Sequence, residues 1–286
     1  MSLNLKQITY IENEVEVKLY PKRGIAIAGG KGVYLIDTSG KKYLDFMTNL
    51  GVNILGYTNP QITKAIAKQL EILPSTHQTF YCEARAELLK ELQTIMPEYL
   101  NKVIFTNSGA ESIEAALKLA MVVTSKSGFI AAKNAYHGRT LGSLNVTGQE
   151  KYKQILPDSH NSKADVIHVL FNDIDSVKEA INKNIAAIIL EPIQGEAGIM
   201  IADVDYLTKV RDLCTKNNIV LIFDEIQTAI RTGSFSAFEQ FGCLPDILCL
   251  SKSWSYGIPF GIVVTSEKIS SSMPKGGHGS TFAGGP

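Results

Sequence analysis

Short apolar runs rich in Val and Ile recur at residues 103–105, 129–131, 166–170, 186–190, 219–223, 247–250 and 261–264. Each is too short for a helix and too uniformly apolar for a half-solvated strand, so each reads as a strand buried on both faces. Amphipathic stretches lie between them. Residues 108–123 carry Ile113, Ala116, Leu117 and Ala120 on one face, and residues 204–217 space Leu207, Val210, Arg211 and Cys214 at helical intervals. Strands alternating with helices predict an α/β fold with a mostly parallel central sheet flanked by helices. Residues before about 58 differ. Gly32-Val-Tyr-Leu-Ile-Asp37, the turn Thr38-Ser-Gly40 and Lys42-Tyr-Leu-Asp-Phe46 predict a hairpin in a small N-terminal segment over 1–57, leaving 58–286 as the large domain.

Charge narrows the partners. Lys plus Arg and Asp plus Glu stand at 28 each, so the chain carries no basic field of the kind that draws nucleic acid or an anionic membrane. A small molecule is the expected partner. Cys82, Cys214, Cys243 and Cys249 form no C-x-x-C pair and have no His at zinc-ligand spacing, which predicts reduced thiols, no metal site and a cytoplasmic setting. No apolar leader core or membrane-spanning run is visible, and a soluble, untargeted protein is expected.

Three motifs carry chemistry. Thr106-Asn-Ser-Gly-Ala-Glu111 follows a strand and opens a helix; Ser108 and Glu111 fit a capping box, and Gly109 lets N–H groups approach an anion at the helix's positive end. In Phe223-Asp-Glu-Ile-Gln-Thr228, Asp224 stands at the carboxyl end of a strand, where open α/β sheets bind ligands, and Leu190-Glu-Pro-Ile-Gln-Gly-Glu196 repeats that arrangement. In Asp246-Ile-Leu-Cys-Leu-Ser-Lys252 a buried strand delivers a lysine suited to Schiff-base chemistry. Taken singly, these read more readily as a capped helix, a solvated strand end and a surface lysine. Together they supply the amine, the acidic partner for a pyridinium nitrogen and the phosphate site that pyridoxal 5'-phosphate (PLP) requires.

The ordered series Asn107-Ser-Gly-Ala-Glu, Tyr136-His-Gly-Arg-Thr-Leu-Gly, Glu191-Pro-Ile-Gln-Gly-Glu-Ala-Gly, Asp224-Glu-Ile-Gln-Thr, Ser251-Lys252 and Gly279-Ser-Thr-Phe resembles the class III PLP-dependent aminotransferases, from about residue 20 to the last residue. The resemblance implies the PLP-dependent transferase fold of type I. It implies Lys252 as the Schiff-base lysine and proton carrier, Asp224 against the pyridine nitrogen, Gln227 near the ring hydroxyl, and Ser108, Gly109 and Ala110 on the phosphate. Tyr136 would stack on the ring with His137 beside it, Glu191 and Glu196 would lie near the substrate, and Tyr81 would line its entrance. Thr281 would complete the phosphate site of a neighbouring subunit, so a homodimer is expected.

The segment from Tyr136 to Gly148 is closer to acetylornithine and ornithine aminotransferases, enzymes of arginine biosynthesis and amino-acid metabolism, than to 4-aminobutyrate enzymes. The expected reaction moves an amino group from such an ω-amino donor to 2-oxoglutarate, with a 4-aminobutyrate or lysine-type transaminase as the alternative. Departures stand beside this. The chain stops at the family's Thr-Phe-x-Gly-Asn-Pro motif with Gly285 in place of the asparagine, so the C-terminal small domain is expected to be absent. Residues 227–233 run one residue short and lack the usual glycines, and Ser253-Trp-Ser-Tyr256 replaces a glycine-rich run, which would reshape the pocket through Trp254 and Tyr256. A non-catalytic paralogue serving as a binding or oligomerisation partner is the reading of another class.

Overall fold

The computed structural model describes residues 3–155 and 165–286, and the chain divides into two compact units, Met1–Leu73 and Pro74–Pro286. In the first, β1 (Ile27–Lys31), β2 (Tyr34–Asp37) and β3 (Lys42–Leu44) form an antiparallel sheet. The expected hairpin is β2 with β3. Its turn is tied by Asp37, whose Oδ1 accepts from the Ser39 and Lys41 N–H groups at 2.8 and 3.0 Å. The unit also holds a helix at Leu5–Val15, closed by a capping box on Asn4, and another at Pro60–Ile72.

The second unit is built on a seven-stranded sheet. Its strands are β4 (Lys102–Thr106), β5 (Gly128–Ala132), β6 (Val166–Val169), β7 (Ile185–Leu190), β10 (Val220–Asp224), β11 (Ile247–Leu250) and β12 (Gly261–Thr265), with a small ribbon of β8 (Ile193–Gln194) and β9 (Met200–Ile201) beside it. The strand order is β4-β12-β11-β10-β7-β5-β6, and β12 alone runs against its neighbours. Every apolar run singled out above is one of these strands. The reason is visible in the side chains. Along β7, β10 and β11, alternate residues enter two different cores: Ile188, Leu190, Leu221, Phe223, Leu248 and Leu250 on one face, and Ala187, Ile189, Val220, Ile222, Ile247 and Cys249 on the other. The first core is covered by Tyr206, Leu207, Val210 and Cys214 of the Val204–Asn217 helix, the second by Ile113, Ala116, Leu117 and Ala120 of the Gly109–Thr124 helix. Both helices end on a left-handed residue, Ser125 and Asn218, at which the chain turns away from the helix. The four cysteines are free thiols. No helix among the described residues is long and apolar enough to cross a membrane.

Glycine is required where β12 meets the start of the Gly109–Thr124 helix. A Cβ on Gly261 would lie 2.4 Å from Thr106 Oγ1, 2.5 Å from Ser112 Oγ and 2.7 Å from the Ser108 carbonyl. Two of those atoms belong to the strand-to-helix turn that carries Ser108. Gly261→Ala should therefore destabilise the protein by about 1–3 kcal/mol in urea unfolding, the usual penalty of overpacking. Gly279→Ala, where an added Cβ meets nothing, is the control and should leave the midpoint unchanged.

Candidate functional site

Because β4, β5, β7, β10 and β11 run in the same direction, their carboxyl ends share one edge of the sheet, where an open α/β sheet binds its ligands. The residues that follow those ends are Asn107 and Ser108, Tyr136 and His137, Glu191, Asp224, and Lys252. Strand interiors here are wholly apolar, so the polar side chains can enter only where each strand stops.

Ser108 caps the Gly109–Thr124 helix, its Oγ accepting from the Glu111 N–H at 3.2 Å. The reciprocal half of the expected capping box is not formed. Glu111 Oε2 instead accepts from the Asn107 N–H and Asn107 Nδ2, each at 2.9 Å. Two donors from one residue on a carboxylate outweigh the single N–H of Ser108. Ser108, Gly109 and Ala110 thus open the helix with first-turn N–H groups that lack intrahelical acceptors. The surface above them is close: a Cβ on Gly109 would meet Ile226 Cδ1 at 2.8 Å, and one on Gly138 would meet Ser143 Oγ at 2.5 Å and Ala110 Cβ at 2.9 Å.

Asp224 is buried and held from two sides. Its Oδ2 accepts from His137 Nδ1 at 2.7 Å and its Oδ1 from the Ile226 N–H at 3.0 Å. A carboxylate offers about four lone-pair directions, so Asp224 retains capacity for a further donor such as a ring N–H. His137 is fixed in turn, its N–H donating to Thr147 Oγ1 at 3.0 Å, and its Nε2 is buried with no hydrogen-bond partner among the described residues. Tyr136 donates its N–H to Glu191 Oε1 at 2.8 Å, and its ring packs edge-on against Tyr152 at 5.3 Å between centroids.

Of the expected site residues, Lys252 and Glu191 have displaced proton affinities. Burial is the largest influence on Lys252 and holds its amine below the ordinary 10.5, against the pull of Asp224, Glu196 and Glu191. A larger neutral fraction is a more nucleophilic lysine. Burial also pushes the Glu191 carboxyl from 4.5 up to about 7, with His137 pulling it down and Asp224 pushing it further up. The backbone at Lys252 is left-handed, with φ of 45°, a sparsely populated conformation for a residue bearing a Cβ.

The remaining expected residues are less gathered. Gln227 is half-buried over Gly195, where an added Cβ would fall 1.4 Å from its Oε1. Glu196 is exposed but close enough to act on Lys252. Thr281 is exposed, although its neighbour Ser280 accepts from Asn107 Nδ2 at 2.8 Å. Tyr81 is fully exposed. In the departing loop, Trp254 turns into the core and packs edge-on against Phe235 at 5.6 Å, whereas Tyr256 keeps a left-handed φ of 52°. Ile230 does the same in the shortened 227–233 stretch, with φ of 56°. The chain keeps glycine-like backbone conformations while carrying larger residues. Sequence reasoning passed over Thr147, which links His137 to the end of the Leu141–Val146 helix, and Glu114, whose only signal was a second glutamate one turn beyond Glu111.

The folded-state value of Glu191 lies above that of the unfolded chain. Stability linked to this group is therefore full below pH 4.5 and is lost as pH rises through about 7. Glu191→Gln keeps an acceptor for the Tyr136 N–H and removes the titration. It should exceed the parent in urea stability at about pH 8 by up to roughly 3 kcal/mol, with the two curves converging on acidification. A gap that stays constant across pH would refute this.

Comparison with known proteins agrees with this arrangement. The pattern of the family described as "Aminotransferase class-III" matches residues 18–286. The acetylornithine aminotransferase of Methanocaldococcus jannaschii is 43% identical over 284 residues, covering 96% of this chain and 70% of that protein. Among solved structures, the ornithine aminotransferase of Toxoplasma gondii superposes with a TM-score of 0.89 at 28% identity, covering 100% of this chain and 69% of its own. The taurine:2-oxoglutarate aminotransferase of Bifidobacterium kashiwanohense, solved in complex with PLP and glutamate, superposes with a TM-score of 0.90 at 26% identity, covering 99% and 70%. This chain belongs to the class III aminotransferases.

Proposed function

We propose that the protein uses PLP to move an amino group from an ω-amino donor of the acetylornithine or ornithine type to 2-oxoglutarate. The observation that carries this reading is the convergence, at one sheet edge, of a half-buried lysine, a buried carboxylate held by a histidine, and an open helix start. The residues fit the group: first-turn N–H donors under a close-packed glycine turn suit a phosphate, and Asp224 with unused lone pairs suits a ring N–H. When bound, PLP supplies an electron sink for charge developing on the donor's carbon.

The chain's own residues do the rest. Ser108, Gly109 and Ala110 would anchor the phosphate, and Asp224, oriented by His137, would keep the ring nitrogen protonated. Gln227 would meet the ring hydroxyl and Tyr136 would cover one face of the ring. Lys252 would hold the cofactor and, once displaced by the donor's amine, take up and return the proton that moves between carbons. Its burial favours the neutral amine that both roles need. Glu191 and Glu196 would flank the donor, with Tyr81 at its entrance. Thr281 would serve the phosphate site of a second copy in a homodimer. The donor class is supported by the similarity to the acetylornithine aminotransferase of Methanocaldococcus jannaschii and by the residues from Tyr136 to Gly148.

Purified protein with added PLP should develop a visible absorbance band that shifts on adding acetylornithine or ornithine, and should form glutamate from 2-oxoglutarate. Lys252→Ala should lose the protein-bound band and reduce turnover by ~10²–10⁴-fold or more. Turnover with 4-aminobutyrate alone would overturn the donor assignment, and a Lys252→Ala spectrum identical to the parent's would overturn the site.

A further inference from the structure

The loop carrying Tyr136 and His137 is fastened to the helix carrying Ser108, Gly109 and Ala110 by a side chain that none of the assigned roles uses. Glu114 lies on the Gly109–Thr124 helix, one turn beyond Glu111, and is half-buried. Its Oε1 accepts from Thr140 Oγ1 at 2.6 Å, from the Gly142 N–H at 2.8 Å and from the Ser143 N–H at 3.1 Å. Those N–H groups open the Leu141–Val146 helix, whose N-cap residue, Thr140, makes no capping bond through its own side chain. A carboxylate from a different helix therefore does the capping, and its negative charge faces the positive end of that short helix.

Gly142 is what lets the carboxylate in. A Cβ there would stand 2.3 Å from Glu114 Oε2, so a larger residue forces the carboxylate to shift. Beyond the short helix, Thr147 Oγ1 accepts from the His137 N–H, and Gly138, with φ of 130°, backs onto Ser143 and Ala110. The 136–147 segment is thus tied to Glu191 through the Tyr136 N–H, to Asp224 through His137, to itself through Thr147, and to the phosphate-side helix through Glu114. The Glu114 tie joins the segment to the helix that Ser108 caps.

We propose that Glu114 is a positioning residue that, with Gly142, holds the ring-facing segment in register with the phosphate-facing helix turn. It rests on the reading of Ser108–Ala110 and Tyr136–His137 as cofactor contacts, and it adds a residue that touches neither cofactor nor substrate. Losing the tie uncaps the Leu141–Val146 helix and loosens the segment against the phosphate-facing turn.

The test compares Glu114→Ala, Glu114→Gln and Gly142→Ala with the parent. The readouts are PLP affinity by titration, circular dichroism of the bound cofactor's visible band, and hydrogen exchange at the Gly142 and Ser143 amides. Glu114→Ala and Gly142→Ala should each weaken PLP affinity by about tenfold, reduce the visible dichroism and speed exchange at both amides by a similar factor. Glu114→Gln keeps an acceptor oxygen and should recover most of the affinity. If Glu114→Ala does not fold, Gly142→Ala and Glu114→Gln carry the comparison. Parent-like affinity and dichroism in Gly142→Ala and Glu114→Ala would overturn the proposal. Lys252→Ala separates the two failures. If Lys252→Ala loses the band while the Glu114 and Gly142 variants behave as parent, only the positioning role falls; if Lys252→Ala and parent are alike, the cofactor reading falls with it.

Discussion

Both faces of the central sheet are covered, and every other feature of the large unit follows from that. Residues 185–190 and 220–223 are buried along their whole length, so no polar side chain can leave the sheet until the strand stops. Parallel strands stop on the same side. Asp224, Glu191 and Lys252 are therefore neighbours even though 61 positions of sequence separate Glu191 from Lys252. The same burial that organises the core places these groups at its margin, partly desolvated, which is the condition that alters their proton affinities.

That margin carries its charges in an ordered way. Asp224 is held by two donors, His137 Nδ1 and the Ile226 N–H. Glu191, with burial against it and Asp224 nearby, is pushed toward the neutral form around pH 7. Glu225, adjacent to Asp224 in sequence, is turned the other way. It is buried, accepts from the Ala237 and Phe238 N–H groups and from Thr228, and serves the fold.

Much of this was legible beforehand, and the reasons are local. The Val- and Ile-rich runs are strands because uniform apolarity over four to six residues suits only a strand covered on both faces. Ser108 is a cap because its hydroxyl can satisfy the Glu111 N–H wherever the helix lies. The motif order marked Lys252 and Asp224. What was not legible involves partners far apart in sequence. The choice of Glu111 to bind Asn107, the descent of Trp254 onto Phe235 and the capping of one helix by Glu114 of another leave no periodic trace. The strand β1 was also missed, since two glycines within Ile27–Lys31 break any apolar alternation and its pairing is supplied by β2.

By itself the sequence determined the element types, the two-faced burial of the sheet and the residue types available at its ends, because each depends on side chains a few positions apart. Only the tertiary structure decided which of those residues meet, which carboxyl is pushed toward its neutral form, and which glycines lie against a neighbouring side chain. Those outcomes depend on desolvation and on contacts a few ångströms long between segments brought together by packing. Gly142 illustrates the division: its place in the motif is visible from the chain, but its reason, room for the Glu114 carboxylate, exists only once two helices are side by side.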